Sequence, residues 1–542
     1  MAGIFTVGTG AGLVHSCLLM ADHTPSIPRH RPLLGPAILF AGLAIVSLAL
    51  LLVQSFLGNT SLAPLGHPLV WLAGLDTSAA LDTLSNAAEV VAAVLAIAIT
   101  VVAIVVELAA TRYSHQITTL FLREPVNLLV PGLFVLTTVQ CVWVAAVLDE
   151  SGPAALVPQA GFAITLGLVT LCLLLLVPYI YFVFTFLSPI SVIERICRDA
   201  YRMVIRVKPG TVDRHQHRVE EAIDELQDVA RSAIAQGDRG IAMAAVDALA
   251  GFVFDYVRIR PQLPVGWFDV TPSVARDPDF FALAPETMSE VRAQGIWLER
   301  KVFRRYLSLM IQCALNSRDV ANLIGINTQR IASDLGPGFP DLLELCLRTF
   351  NSYLRVTIGA RDARTAYFLM NQYRIIGERL LQEGPADEAV AISRYLREYG
   401  QLAHNMGLSF LLETAAYDVM QMVEDAMDLN SPAVDPLLDT LLQLDQEIKE
   451  ESQEDSLLGV RRSQIQLATL FLQRGDEVRF QRIVDDLREE RLERLERLKQ
   501  GLLTDDRPQF WELMDRGVNF SYLLPERRQF LEPLFEALAR PQ

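Results

Sequence analysis

Residues 96–116 read AIAITVVAIVVELAATRYSHQ, an apolar run that carries one carboxylate, Glu107, near its end. With the apolar residues before it, the run is long enough to cross about 30 Å of hydrocarbon as an α-helix. A charge at the centre of a bilayer costs about 2.5–3.5 kcal/mol, and this cost falls towards either surface. A helix rises about 30 Å from Ala87 to Glu107, so we expect Glu107 near the inner edge of the lipid.

Three other runs resemble this one in length and composition. The predicted spans are residues 33–57, 87–110, 126–148 and 160–187. The connections 58–86 and 149–159 contain no Lys or Arg. Basic residues near the spans lie in the other segments: Arg29, Arg31, Arg112, Arg123 and the group that follows residue 187. Because Lys and Arg mark cytoplasmic loops, the sequence predicts that both termini are cytoplasmic.

Composition separates an apolar part of the chain from a charged part. Residues after 187 hold 43 of the 47 basic and 55 of the 63 acidic side chains. This acidic excess argues against a nucleic-acid partner. The six cysteines are scattered without a CxxC pair, so no disulfide framework or structural zinc site is implied. Motifs of nucleotide-binding loops, zinc proteases, serine hydrolases and kinases are absent, and we predict neither an enzyme nor a cofactor.

The second predicted span has one face that differs from the rest. Steps of three and four residues select small or polar side chains: Asn86, Glu89, Ala93, Ala96, Thr100, Ala103, Glu107, Ala110 or Thr111, Ser114 and Thr118. In lipid, such a face must meet something other than acyl chains. It either lines a water-filled path in a homo-oligomer, where a ring of Glu107 favours cations, or packs closely against another span. Gln140 on the third span can satisfy polar groups in either arrangement.

The stretch SPISVIERICRDAYRMVIRV (188–207) carries cations on one side and apolar residues on the other. We interpret it as a helix on the inner leaflet, with five cations near anionic headgroups: Arg195, Arg198, Arg202, Arg206 and Lys208. A helix folded onto a soluble domain is the alternative. A few residues later, His217 and Glu221 share a helical face and are a weak metal-ligand pair, because a third ligand is missing.

The rest of the chain reads as helices. Residues 188–260 form a juxtamembrane segment, and 261–285 form an ordered connection rich in proline and aromatic residues. Residues 286–542 contain paired helical patterns with a period of about 45 residues, in the range of two-helix solenoid repeats. A plain helical bundle is the alternative.

The stretch VELAATRYSHQITTLFLREPVN (106–127) resembles a family of bacterial predicted membrane proteins that is catalogued as a domain of unknown function. Eight residues match or substitute conservatively: Leu108, Ala109, Tyr113, Ser114, Phe121, Leu122, Arg123 and Glu124. Glu107 stands where the family tends to have glutamine. The resemblance is limited to the region around residues 87–127. It implies a bacterial inner-membrane location and carries no activity.

The sequence therefore predicts an all-α protein. A cytoplasmic segment (1–32) precedes a four-helix transmembrane domain (33–187), and a large cytoplasmic helical domain follows, either solenoid-like or a bundle. The expected partners are the lipid bilayer, further copies of the chain and a cytoplasmic protein. We expect a membrane-anchored scaffold or sensor that recruits such a protein. The alternative is a homo-oligomeric cation channel with the second span lining the pathway.

Overall fold

The computed structural model describes residues 77–112, 118, 121–122, 124–147, 159–314, 316–445, 457–488, 490–512 and 514–539. The predicted first span and the segment before it lie outside these residues. In the described part of the chain, the regular elements are helices, apart from an isolated antiparallel bridge between Gln509 and Val518. The chain divides into two compact units, residues 1–191 and 192–542.

The described part of the first unit contains three long helices, α1 (Thr77–Arg112), α2 (Pro125–Val147) and α3 (Gln159–Phe186). Each is long and apolar enough to cross a membrane. Helix α2 and helix α3 begin and end within one residue of the predicted spans. Helix α1 begins ten residues before the predicted start at Ala87, so Asn86 and Glu89 are helical residues.

The three helices of the first unit pack together along their length. Helix α1 contacts both α2 and α3, which also contact each other. One end is filled by a buried apolar cluster: Ala80, Leu84, Val144 and Phe162. Further along, the Thr137 hydroxyl lies 3.2 Å from the Cys172 sulfur. Phe121 meets Phe186 edge-on, with ring centroids 5.7 Å apart, at the other end.

The second unit takes up most of α4 and the helices that follow it. In chain order these are α4 (Pro189–Ile205), α5 (Val212–Gln236), α6 (Arg239–Ile259), α7 (Pro272–Arg276), α8 (Pro278–Phe281), α9 (Pro285–Gln294), α10 (Trp297–Cys313), α11 (Arg318–Leu335), α12 (Pro340–Gly359), α13 (Ala363–Glu383), α14 (Ala386–Asn405), α15 (Phe410–Asp428), α16 (Val434–Leu442), α17 (Leu458–Arg474), α18 (Glu477–Leu487), α19 (Leu492–Thr504), α20 (Pro525–Arg528) and α21 (Leu531–Ala539).

Ten of these helices stack in two rows. Helices α5, α10, α12, α14 and α16 form the first row, and α6, α11, α13, α15 and α17 form the second row. Each helix contacts the next one in its row and its partner in the other row. Helices α10, α12, α14 and α16 begin at residues 297, 340, 386 and 434. This repetition of helix pairs is the arrangement of a two-helix solenoid rather than of a single bundle.

Glycines let neighbouring helices of the second row approach closely. A Cβ atom added at the glycine would lie within 2.7 Å of the next helix in three cases: Gly325 against Leu369, Gly377 against Met422, and Gly459 against Glu413. These pairs belong to three successive contacts of the row. The missing side chains therefore set the spacing from α11 to α17.

Helix α6 also qualifies as a membrane span by length and composition, over Arg239–Gln262. Its apolar side chains are buried in the second unit, among them Ala245, Val246, Leu249 and Val253. Its exposed positions carry small or charged residues: Asp247, Gly251, Asp255 and Arg258. A helix surrounded by lipid would show the reverse pattern, so packing within the unit accounts for its apolar composition.

The connection at 261–285 is packed rather than loose. The Trp267 side chain is fully buried, and its indole N–H donates to the Tyr256 hydroxyl at 3.2 Å. The Trp297 indole N–H in turn donates to the Trp267 carbonyl at 2.9 Å. Phe280 is also buried. These contacts fix the connection against α6 and α10.

Candidate functional site

The small and polar row of α1 lies on the side of the helix that faces away from α2 and α3. Most of its described members are exposed: Asn86, Glu89, Ala93, Ala96, Thr100, Ala103, Glu107 and Thr111. Ala110, the alternative to Thr111, is buried, and Thr118, which follows the end of α1, is half-buried. The buried side of the same helix carries Val91, Ala98, Val106 and Ala109. Half a turn separates the two sets. The row is therefore not a packing seam between α1 and the two other described membrane helices.

The hydroxyl groups of this row are satisfied within the helix. The Thr100 hydroxyl donates to the Ala96 carbonyl at 2.8 Å, and the Thr111 hydroxyl donates to the Glu107 carbonyl at 2.9 Å. Such bonds make threonine tolerable on a helix surface. The Glu107 carboxylate is exposed. Glu89 is exposed as well, and these two carboxylates are the groups of the row that most need water or a partner.

Two further predicted residues stand apart from the row. Gln140 is half-buried on α2, and Ser114 lies outside the described residues. Ala96 borders a shallow groove towards Thr138 and Val139. The structure thus brings the α1 residues together on one face but does not place Gln140 in it.

Helix α4 turns its apolar side inward and its cations outward. Its buried residues are Val192, Ile193, Ile196, Ala200 and Val204. The side chains of Arg198 and Arg202 are more than half exposed, and they pair with Glu194 and Asp199 on the same helix. Arg206 and Lys208 are exposed, whereas Arg195 is half-buried. The apolar side is thus covered by protein, and a contact of the cations with lipid headgroups stays a prediction.

His217 and Glu221 are neighbours on α5, as their spacing predicts. The His217 Nε2 and Glu221 Oε1 atoms are 3.4 Å apart on the surface, and Arg218 also pairs with Glu221 at 3.3 Å. No group of three potential metal ligands occurs among the residues that the structure describes. The contact of His217 with Glu221 therefore has the geometry of a surface ion pair rather than of a metal site.

A buried cluster of charges in the second unit was not predicted. The fully buried Lys301 ammonium lies 2.9 Å from Asp224, 2.5 Å from Asp277 and 3.2 Å from Asp279. Arg305 pairs with Asp224 and Asp279 at 2.8 and 2.7 Å. The residues come from α5, the connection and α10. The cluster therefore ties the connection to both helices.

Glu220 lies beside this cluster and is itself buried. Burial and the nearby Asp277 carboxylate raise the pKa of Glu220 to about 8, against the lowering effect of Lys301. Sequence reasoning missed the cluster because its members are far apart along the chain. The available signal was a lysine within the apolar face of α10, which needs a buried carboxylate partner.

The first unit and the beginning of the second can be compared with known proteins. Residues 33–252 match the family model described as Predicted membrane protein (DUF2254). The resemblance noted at α1 is thereby confirmed. The match extends from the predicted first span into α6. The prediction that the resemblance is limited to the region around residues 87–127 was therefore wrong in its bounds. No curated protein and no solved structure matches the chain significantly.

Proposed function

We propose that this protein is a membrane-anchored scaffold or sensor whose second unit recruits protein partners. The observation that supports this function is the two-row stack of helix pairs. Stacked repeats of this kind present extended surfaces that suit protein binding. The three long apolar helices and the family match support the membrane anchor.

We place the second unit and both termini on the cytoplasmic side of a bacterial inner membrane. The distribution of Lys and Arg around the spans supports this orientation. Helix α4 begins three residues after α3 ends. Its exposed cations Arg198 and Arg202 suit anionic headgroups at that surface.

Native mass spectrometry of the full chain, extracted from its own membranes with surrounding lipid, tests this function. A scaffold should give a complex whose mass exceeds a whole multiple of 60.2 kDa by the mass of a second protein. Whole multiples of the chain mass alone, under conditions that preserve a known membrane complex, would contradict recruitment.

A second candidate function is a homo-oligomeric cation pathway lined by α1. The exposed row that contains Thr100 and Glu107 favours it, because a polar face needs a partner within lipid. Purified protein in liposomes should then carry a cation flux that Glu107→Gln changes. No cation flux, or a flux that Glu107→Gln leaves unchanged, would contradict this candidate function.

The oligomer itself can be tested on the same face. Ala96→Trp should lower the oligomer mass, because an indole in the row blocks close approach of a second copy. Leu108→Trp is the matched control, since Leu108 is exposed on another side of α1. Equal oligomer masses for both variants would contradict an interface along the row.

A further inference from the structure

The segment between α19 and α20 folds back onto the second row of helices. It forms a small hairpin in which the Phe510 amide donates to the Gly517 carbonyl and the Asn519 amide donates to the Pro508 carbonyl, both at 3.1 Å. The hairpin segment, residues 505–524, has few backbone hydrogen bonds of its own among its described residues, 505–512 and 514–524. It is held by contacts to α13, α15 and α17, by the Asn519 side chain, which donates to the Asp505 carboxylate and the Arg507 carbonyl, and by Arg528 of α20, which donates to the Leu523 carbonyl.

The first contact is made by Arg516. Its side chain is 4% exposed and forms a bidentate pair with Asp418 of α15, at 2.5 and 3.1 Å. The same guanidinium donates to the Tyr367 carbonyl of α13 at 2.8 Å and lies 4.3 Å from the Tyr367 ring centroid. A carboxylate, a carbonyl and an aromatic face together fit the planar fork of arginine rather than lysine.

The second contact is made by Phe520, four residues further on. Its ring stacks on Tyr417 with centroids 4.3 Å apart. Phe410 and Tyr367 close the sides of the pocket at 6.1 and 6.5 Å. These partners come from α13 and α15, so the pocket lies next to the arginine site.

The third contact is made by Gln466 with the backbone of the hairpin segment. The buried Gln466 side chain of α17 donates to the carbonyls of Phe520 and Tyr522, at 3.1 and 3.0 Å. A buried amide that binds main-chain carbonyls gives affinity without regard to sequence, and pockets for alternate side chains give specificity. Grooves that bind extended peptides use this division.

We propose that the surface formed by α13, α15 and α17 is a peptide-binding groove, occupied in cis by the hairpin segment. Its partner is a protein segment that carries an arginine followed four residues later by an aromatic residue. This inference rests on the proposed scaffold function and names its docking surface. Because the hairpin segment has few backbone hydrogen bonds, it can open while the helices beneath it stay folded.

The test uses the full chain in lipid nanodiscs and a fluorescein-labelled peptide with the sequence of residues 505–524. The Arg516→Ala/Phe520→Ala chain loses two of the three cis contacts and keeps the side chains of the groove, while the Gln466 contact with the backbone remains. This variant should bind the peptide at least about 30-fold more tightly than the unmodified chain, the factor typical of removing a hot spot. A peptide with the same two alanines should lose that binding, as should the variant when Asp418→Asn is added.

Equal binding by the two chains, or by the two peptides, would overturn the groove. If the double variant does not fold, hydrogen exchange on the unmodified chain decides. The Phe510 and Asn519 amides should exchange faster than the amides of α15; exchange of all of them in one global event would make the hairpin segment a fixed part of the core. If the native mass spectrum contains a second protein but no peptide binds, the scaffold function is supported and the groove is contradicted.

Discussion

Gly400 lies where α14 crosses α15, at a contact that leaves no room for a side chain. A Cβ atom there would be 2.8 Å from the Ala415 Cβ and 3.5 Å from the Leu412 Cα. Neither atom can move without its helix. We expect Gly400→Ala to lower the free energy of unfolding by about 1–3 kcal/mol, even though alanine favours the helical state. Chemical denaturation of the purified protein measures this change.

Gly251 on α6 is the matched control. It is exposed and has nothing within 4 Å of an added Cβ atom. Gly251→Ala should therefore raise the free energy of unfolding by up to about 1 kcal/mol, the difference in helix propensity. Comparing the two variants distinguishes the effect of helix propensity on stability from the effect of close packing. A loss of stability in both variants, or a gain in both, would contradict the close approach of α14 and α15.

Glu220 makes stability depend on pH. Its pKa rises from 4.5 to about 8 in the folded chain, chiefly because of burial. The folded chain therefore keeps a proton that the unfolded chain releases within this window. The free energy of unfolding should fall as pH rises from about 4.5 to about 8, with at most about 1.4 kcal/mol per pH unit from this group.

Glu220→Gln mimics the protonated side chain and should flatten that part of the curve. Asp213, Asp224, Asp277 and Lys301 face the group and stay in place in the variant. Denaturation midpoints measured from pH 5 to pH 9 give the comparison, with Glu536→Gln at an exposed position of α21 as the control. Parallel curves for the unmodified chain and Glu220→Gln would show that Glu220 does not hold the proton.

Helix α6 is apolar enough to span a membrane, yet its apolar side chains are buried within the second unit. We expect Asp255→Cys to react rapidly with a water-soluble maleimide in the full chain, because position 255 faces solvent. Val253→Cys should stay unreactive until the chain unfolds, since Val253 is fully buried. Both variants belong in a background in which Cys17 and Cys197 are serine. Protection of both positions by lipid would place α6 in the membrane instead.

The membrane helices could be predicted from sequence because lipid demands continuous apolar surface. The row on α1 could also be found by counting residues. The exposure of this row could not be predicted, because periodicity identifies a distinct face without indicating which neighbour covers it. Helix α4 shows the same limit: Ile193 and Ile196 fit a lipid surface and a protein core equally well. Only the fold shows that protein covers them.

The division into two compact units lies between residues 191 and 192, close to the shift in composition after residue 187. The repeat of helix pairs was visible as a period, although a bundle fitted the same pattern. The groove could not be predicted from the sequence, because Arg516 and Asp418, which pair in it, are 98 residues apart. The hairpin segment that carries Arg516 has no helical or strand periodicity. Long-range ion pairs of this kind leave no local signal.

Photo-cross-linking in living cells tests whether the second unit recruits a protein to the membrane. The photoreactive residue replaces strongly exposed apolar residues of the second unit, in turn Val265, Phe281, Val478 and Trp511, with Leu129, an exposed apolar residue of α2, as the control. We predict that one or more of the four positions cross-links a second protein that Leu129 does not. Cross-links from all four positions to lipid or to further copies of this chain alone would contradict the claim.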